Sequence, residues 1–249
     1  MPLDSTPTLG LIVPPASGAV PGDAARLYGS RVRFIARGLG LGEISPSGFN
    51  TVIDTVLDKA RELRDAGAQA ISLMGTSISF YRGAAFTEEL RQAMQQATGL
   101  PCTTMSHAIV EALRALGLRR VAVATSYIDE LNDRLVDYLS GAGFEVTAIR
   151  GLSITGVQAV GDVPPQTLIE LATSVYRENP AADGIFISCG GLLTLDVIPA
   201  LEASLGVPAA SSSPAGFWNV MKVAGLEPGA DGFGRLFSPA RQRQADPAA

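Results

Sequence analysis

Short apolar runs recur along the chain without alternating with polar residues, and this pattern most limits how the chain can fold. They fall near 8–14 (TLGLIVP), 31–36 (RVRFIA), 69–75 (QAISLMG), 99–103 (GLPCT), 119–125 (RRVAVAT), 144–150 (FEVTAIR), 183–189 (DGIFISC) and 206–210 (GVPAA). A strand that is apolar on both sides must be covered on both faces, which predicts parallel sheets between layers of helix. Amphipathic stretches separate the strands, as in FNTVIDTVLDKARELRDAGA (49–68) and IDELNDRLVDYLSGAG (128–143). Each closes at a glycine suited to a helix C-terminus.

The runs also repeat in order. LGLIVPP (9–15) matches VAVATSY (121–127), ISLMGTS (71–77) matches IFISCGG (185–191), and LPCTTMSHA (100–108) matches VPAASSSPA (207–215), at a spacing of roughly 110 residues. These matches predict a duplicated α/β unit. Two Rossmann-like lobes are expected, each a mainly parallel four-stranded sheet flanked by helices, related by a pseudo-twofold axis. The expected boundaries are 1–115 with 214–237 for the first lobe and 116–213 for the second. The helix over 214–226 should pack back on the first lobe, and the polar, aperiodic tail 238–249 should be disordered. Strand carboxyl ends would then face a shared cleft, the place where open α/β sheets bind ligands.

Composition narrows the function. With 249 residues, 47% hydrophobic and 17% charged, the chain can bury a large core. A net charge of −5 with acids and bases interspersed argues against nucleic acid or an anionic membrane as partner. No apolar run approaches the ~20 residues a spanning helix needs, and MPLDSTPTLG lacks the basic and apolar parts of a signal peptide. Two cysteines do not make a disulfide framework, so a reducing cytoplasm is expected. A small-molecule substrate, no protein partner and a monomer are the corresponding expectations.

No cofactor or metal is expected. One histidine and no CxxC leave a metal site without ligands, and His107 reads as a residue early in a helix. The stretch GLGLGEISPSGF (38–49) misses the GxGxxG register, and no GxxxxGK[ST] occurs. It reads instead as a flexible apolar loop whose Leu41 and Ile44 can line a pocket, as can Val157 and Val160 of SITGVQAVGDVP.

The candidates for chemistry follow strands. Cys102, between Pro101 and TTMS, reads as an inert buried thiol. Cys189 ends a strand and precedes Gly190 and Gly191, and LLTLDVIPALEASLG is expected to continue as a helix. Bare backbone amides beside the sulfur can form an anion nest and draw the thiol pKa toward neutrality, which suits an acid or base. Thr76, Ser77, Tyr127 and Gly190 could surround one carboxylate with neutral donors. No Lys or Arg lies in these loops. Such a cage fits a site where negative charge moves during reaction.

The strings GLIVPPASG, LYGSRVRFIARGLGLG, SLMGTSISFYRGAAF, GLPCTTMS, SCGGLLTLDVIP and SSSPAGFW resemble the aspartate/glutamate racemase superfamily and, within it, the arylmalonate decarboxylase family. The likeness covers the chain to about Phe237. Racemases of the superfamily carry a cysteine in each half, on opposite faces of the substrate carbon. Here the position matching Cys189 is Gly75, so the second acid is missing. The resemblance implies cofactor-free decarboxylation of aryl- or alkenylmalonates. The enediolate would be held by the cage and protonated on one face by Cys189, giving an (R)-monoacid. Pro14, Pro15 and Gly191 would flank the aryl group. The family pattern more often places an aromatic hydroxyl where this chain has Phe49. An amino-acid or hydantoin racemase, a maleate cis-trans isomerase and a non-catalytic binding protein are the alternatives.

Overall fold

The computed structural model describes residues 6–238, so the expected tail, apart from Ser238, lies outside the described residues. Strands β1 (Thr8–Val13), β2 (Arg33–Gly38), β3 (Ala70–Leu73) and β4 (Cys102–Thr104) form an all-parallel sheet in the order β2-β1-β3-β4. Strands β5 (Arg120–Thr125), β6 (Glu145–Gly151), β7 (Gly184–Ser188) and β8 (Ala209–Ser211) form a second, in the order β6-β5-β7-β8. The two orders coincide strand for strand, so the repeat read in the sequence is a repeat of topology. Inner strands β3 and β7 are buried at every residue, whereas the edge strands β2 and β6 are largely half-buried. That difference explains why Arg33, Arg37, Glu145 and Arg150 fall in β2 and β6, while β3 and β7 carry no charge.

Helices fill the connections: α1 (Asp23–Tyr28), α2 (Pro46–Val52), α3 (Val56–Asp65), α4 (Thr76–Phe80), α5 (Ala84–Thr98) and α6 (Met105–Ala115) in the first half. In the second half come α7 (Asp129–Gly141), α8 (Val157–Gly161), α9 (Pro165–Glu178), α10 (Val197–Leu205) and α11 (Ser212–Val223). Helix α11 lies against α6, β4 and β3 while also touching β8. One apolar core runs through both sheets. Among the described residues no helix is long and apolar enough to cross a membrane.

Several local expectations are corrected. The single helix expected over 49–68 is two, α2 and α3, joined by a 3-10 turn at Ile53–Thr55. Helix α2 begins at Pro46, with the Ser45 hydroxyl accepting from the Gly48 amide, a proline start behind a serine cap. No helix directly follows Cys189-Gly190-Gly191. Helix α10 starts only at Val197, since Pro199 supplies no amide donor and is tolerated only in a helix's first turn. Strands β4 and β8 begin after Pro101 and Pro208, later than the apolar runs suggested. Nor is 38–49 a loose loop. The Leu41 amide donates to Pro14 O, the Ile44 amide donates to Thr155 O, and Glu43 bridges to Gly156, tying it to both halves.

A buried hydroxyl cluster fixes the short helix α4. Ser79 Oγ donates to Thr76 O at 2.8 Å, lies 2.6 Å from Ser106 Oγ and accepts from the Ser106 amide, while Thr87 Oγ1 donates to Ser79 O. These bonds lock the turn carrying Thr76 and Ser77 onto α6. Ser79→Ala strands the Ser106 amide without an acceptor, so it should cost about 1–3 kcal/mol in denaturant unfolding. A loss under about 0.5 kcal/mol would show that the cluster does not hold α4.

Candidate active site

A cavity of about 510 Å³ opens where β1, β3 and β7 end, within the size range of small-ligand sites. Pro14 and Pro15 enter it after β1, Gly75, Thr76 and Ser77 after β3, and Cys189, Gly190 and Gly191 after β7. Leu41, Ile44, Val157 and Val160 form part of the apolar wall. Phe49 completes this side, its ring packed edge-on at 5.1 Å against Tyr81, so the wall carries no hydroxyl there. The residues expected for the site thus converge, with one exception.

Tyr127 does not reach the cavity surface. It is fully buried, its oxygen accepts from Ser188 Oγ at 3.3 Å, and its hydroxyl lies among those of Thr76 and Ser77. Burial pushes its pKa well above the usual phenol value, so the group stays protonated and can serve as a donor from behind. Thr76 Oγ1 rests on Met105 Sδ at 2.8 Å, a weak acceptor that an incoming carboxylate can replace.

Cys189 sits at a forced point in the chain. Its φ is 155°, a conformation residues with a side chain rarely adopt and one that costs on the order of 1–3 kcal/mol. The unusual backbone is at the cysteine itself, not at its glycines. Those glycines answer to packing. A Cβ on Gly190 would stand 3.0 Å from Met105 Sδ and 3.2 Å from Met74 O, and one on Gly191 would stand 3.1 Å from Val160 Cγ1. The parallel pairing of Ser188 with Thr125 fixes the end of β7, and the Cys189 amide donates to Ser212 Oγ at 3.2 Å.

The expectation of a lowered thiol pKa is corrected. Burial pushes the Cys189 thiol up, and this outweighs Ser126, the Gly191 and Leu192 amides, and Tyr127, all of which favour the thiolate. At neutral pH the sulfur therefore carries its proton and is an acid. Gly75, opposite in the repeat, has no room for a counterpart without adjustment, because a Cβ there would lie 2.4 Å from Ile78 Cγ2.

The mouth holds residues that the sequence reading missed. Asp23 and Arg26 of α1, Asp196 and Ser213 all line the cavity. Arg26 pairs with Asp196 through two bonds of 2.6 and 2.9 Å, joining the two halves across 170 residues of sequence. The pair is well exposed, so its stabilisation is of the order of 0–1 kcal/mol. Asp23 accepts from Ser213 Oγ at 2.8 Å, and burial raises its pKa despite that bond and nearby Arg26. No local pattern announces these contacts, since each partner is remote in sequence. Elsewhere, His107 is tied to Thr104 and Glu88, and Cys102 is buried beside Thr98. Among the described residues no cluster of His, Cys, Asp and Glu could hold a metal ion.

A family model described as arylmalonate decarboxylase matches residues 9–237. The arylmalonate decarboxylase of Bordetella bronchiseptica is 56% identical over 234 residues, covering 94% of this chain and 97% of that protein. The maleate isomerase of Nocardia farcinica is 27% identical over 241 residues, covering 92% of this chain and 94% of that one. Among solved structures, a glycine-to-cysteine, cysteine-to-serine double variant of arylmalonate decarboxylase in its liganded form aligns with a TM-score of 0.92. It has 55% identity and covers 94% of this chain and 99% of that one.

The raised thiol pKa has a direct consequence. At neutral pH, Cys189 should be alkylated by iodoacetamide more slowly than a free cysteine of pKa about 8.5, with the rate climbing only in alkaline solution. Fast labelling at pH 7, read by intact mass, would mean the thiolate is already present.

Proposed function

The chain belongs to the arylmalonate decarboxylase family and is a carboxy-lyase, and from that premise we propose cofactor-independent, enantioselective decarboxylation of disubstituted aryl- or alkenylmalonates. The observation that carries this reading is the buried Cys189, its pKa raised by burial, lining one cavity with Thr76, Ser77, the apolar Leu41, Ile44, Val157 and Val160, and Gly75, its counterpart in the repeat.

One carboxylate of the substrate dianion sits against Thr76, Ser77 and the Gly190 amide, with the Tyr127 hydroxyl behind them. The other lies against Leu41, Ile44, Val157 and Val160, where its charge is poorly solvated. Breaking the carbon–carboxylate bond releases neutral CO2 from that end and moves the electron pair into the remaining carboxylate. The enediolate so formed carries its charge where the donors already point, so the transition state is stabilised more than the ground state. Conjugation with the aryl or alkenyl group spreads the charge further. Pro14, Pro15 and Gly191 flank that group and keep the intermediate planar beside Cys189.

Proton delivery then comes from one side. The S–H bond of Cys189 breaks, its proton forms the new C–H bond, and the enediolate becomes a carboxylate. An isomerase or racemase would need a second acid or base at Gly75, which glycine cannot supply. A binding protein would not need a strained thiol at the cavity wall.

The test is CO2 release from phenylmalonate. Cys189→Ser should lower kcat by about a hundredfold or more, the scale of a lost general acid, with KM little changed. Turnover at the parental rate in this variant would remove the thiol from the mechanism. Binding of phenylmalonate without CO2 release by the parent enzyme would favour a binding protein instead.

A further inference from the structure

We infer that Ser126 is a catalytic residue of this site, its hydroxyl donating to the Cys189 thiolate formed when the thiol gives up its proton. The inference rests on the decarboxylase reading for its place in the cycle, and on the geometry of two adjacent strand ends for its substance.

Strands β5 and β7 run parallel with Thr125 paired to Ser188, so the next residues along, Ser126 and Cys189, leave the sheet side by side. The turn holding Ser126 is fixed independently of the thiol. Thr125 Oγ1 donates to Asn132 Oδ1 at 2.6 Å and accepts from the Tyr127 amide at 3.0 Å, while the Ser126 carbonyl accepts from the Ile154 amide at 2.8 Å. Ser126 is fully buried and does not line the cavity, so it stands behind the sulfur and is not a ligand for substrate.

Among the described residues its hydroxyl has no hydrogen-bond partner. A buried hydroxyl without a partner is costly, by about 1–3 kcal/mol, and calls for an explanation. Ionised sulfur supplies one, because a thiolate accepts readily where a neutral thiol accepts weakly. Ser126 is also the foremost of the groups that favour the ionised sulfur, ahead of the Gly191 amide, Tyr127 and the Leu192 amide. Tyr127 is the titratable side chain facing the thiol, and it is itself neutral, so no cation is identified that would take over this task.

In the cycle, the electron pair of the broken S–H bond stays on sulfur. Ser126 O–H donates to that sulfur without losing its own proton, and water later returns a proton to the thiolate. The hydroxyl thus has little to do in the resting enzyme and becomes useful as charge arrives on Cys189.

The experiment follows Cys189 ionisation in substrate-free enzyme, as the pH dependence of iodoacetamide alkylation, with Cys189→Ser as the blank for Cys102. Ser126→Ala should raise the midpoint by about one unit, a tenfold loss of thiolate at a given pH. Its kcat on phenylmalonate should fall about tenfold with KM within about twofold, and Ser126→Thr should restore both. An unmoved midpoint in Ser126→Ala, or a threonine variant as impaired as the alanine one, overturns the inference. Should Ser126→Ala fail to fold by circular dichroism, Ser126→Cys, a weaker donor of similar size, must raise the midpoint. An unchanged midpoint there overturns it equally. Because the midpoint is read without substrate, a failure of the decarboxylase reading would show separately, as absent CO2 release by the parent enzyme.

Discussion

Taking the Cys189 thiol out of water makes its ionised form expensive, and much of the site answers that cost. A thiol in this setting keeps its proton at neutral pH, so it is ready to give one rather than to take one. In the proposed reaction the same desolvation opposes proton transfer unless something receives the charge left on sulfur. Ser126, the Gly191 and Leu192 amides and Tyr127 surround the sulfur with neutral donors for that moment. Acid strength is therefore set by an opposition, with burial holding the proton on and preorganised donors helping it leave.

The fold delivers this arrangement through parallel sheets. Parallel strands all end on one side, so two sheets of the same order meeting at those ends bring many loops to one small volume. Strand β7 leads into Cys189, β3 leads into the hydroxyls of α4, β1 leads into the two prolines, and the segments around Leu41 and Val157 supply the wall. The duplication also explains the asymmetry. Equivalent strand ends in the two halves carry Cys189 and Gly75, and the space a side chain would take at Gly75 is already pressed by Ile78. In the proposed reaction, a pseudo-symmetric scaffold thereby holds an acid on one face only.

Much of this was legible in the residues. Apolar runs without alternation gave the parallel sheets, and the paired strings located their repeat. Strand ends followed by small polar residues mark the donor positions, because position at a strand terminus is a local property, and the apolar residues of 38–49 and 153–164 mark the wall. What escaped depends on contacts between distant segments. Arg26 and Asp196 meet across the mouth, and Asp23 meets Ser213, with nothing local to pair them. Tyr127 reads as a loop phenol that could face a ligand, yet it lies behind Thr76 and Ser77, a matter of depth that sequence does not encode. The direction of the thiol pKa escapes for a related reason. Nearby amides are visible in the string CGG, whereas the burial that overrides them is set by the whole fold. The late start of α10 was readable in retrospect from Pro199.

In the proposed cycle a single acid reaches the planar intermediate from one face. The most direct test is decarboxylation of 2-methyl-2-phenylmalonate in deuterated water, with the product resolved on a chiral column and its deuterium located by mass spectrometry. The expected result is CO2 release and one enantiomer of the monoacid, labelled with a single deuterium at the α-carbon. A racemic labelled product would contradict it, since protonation from both faces is incompatible with Cys189 as the lone donor opposite Gly75.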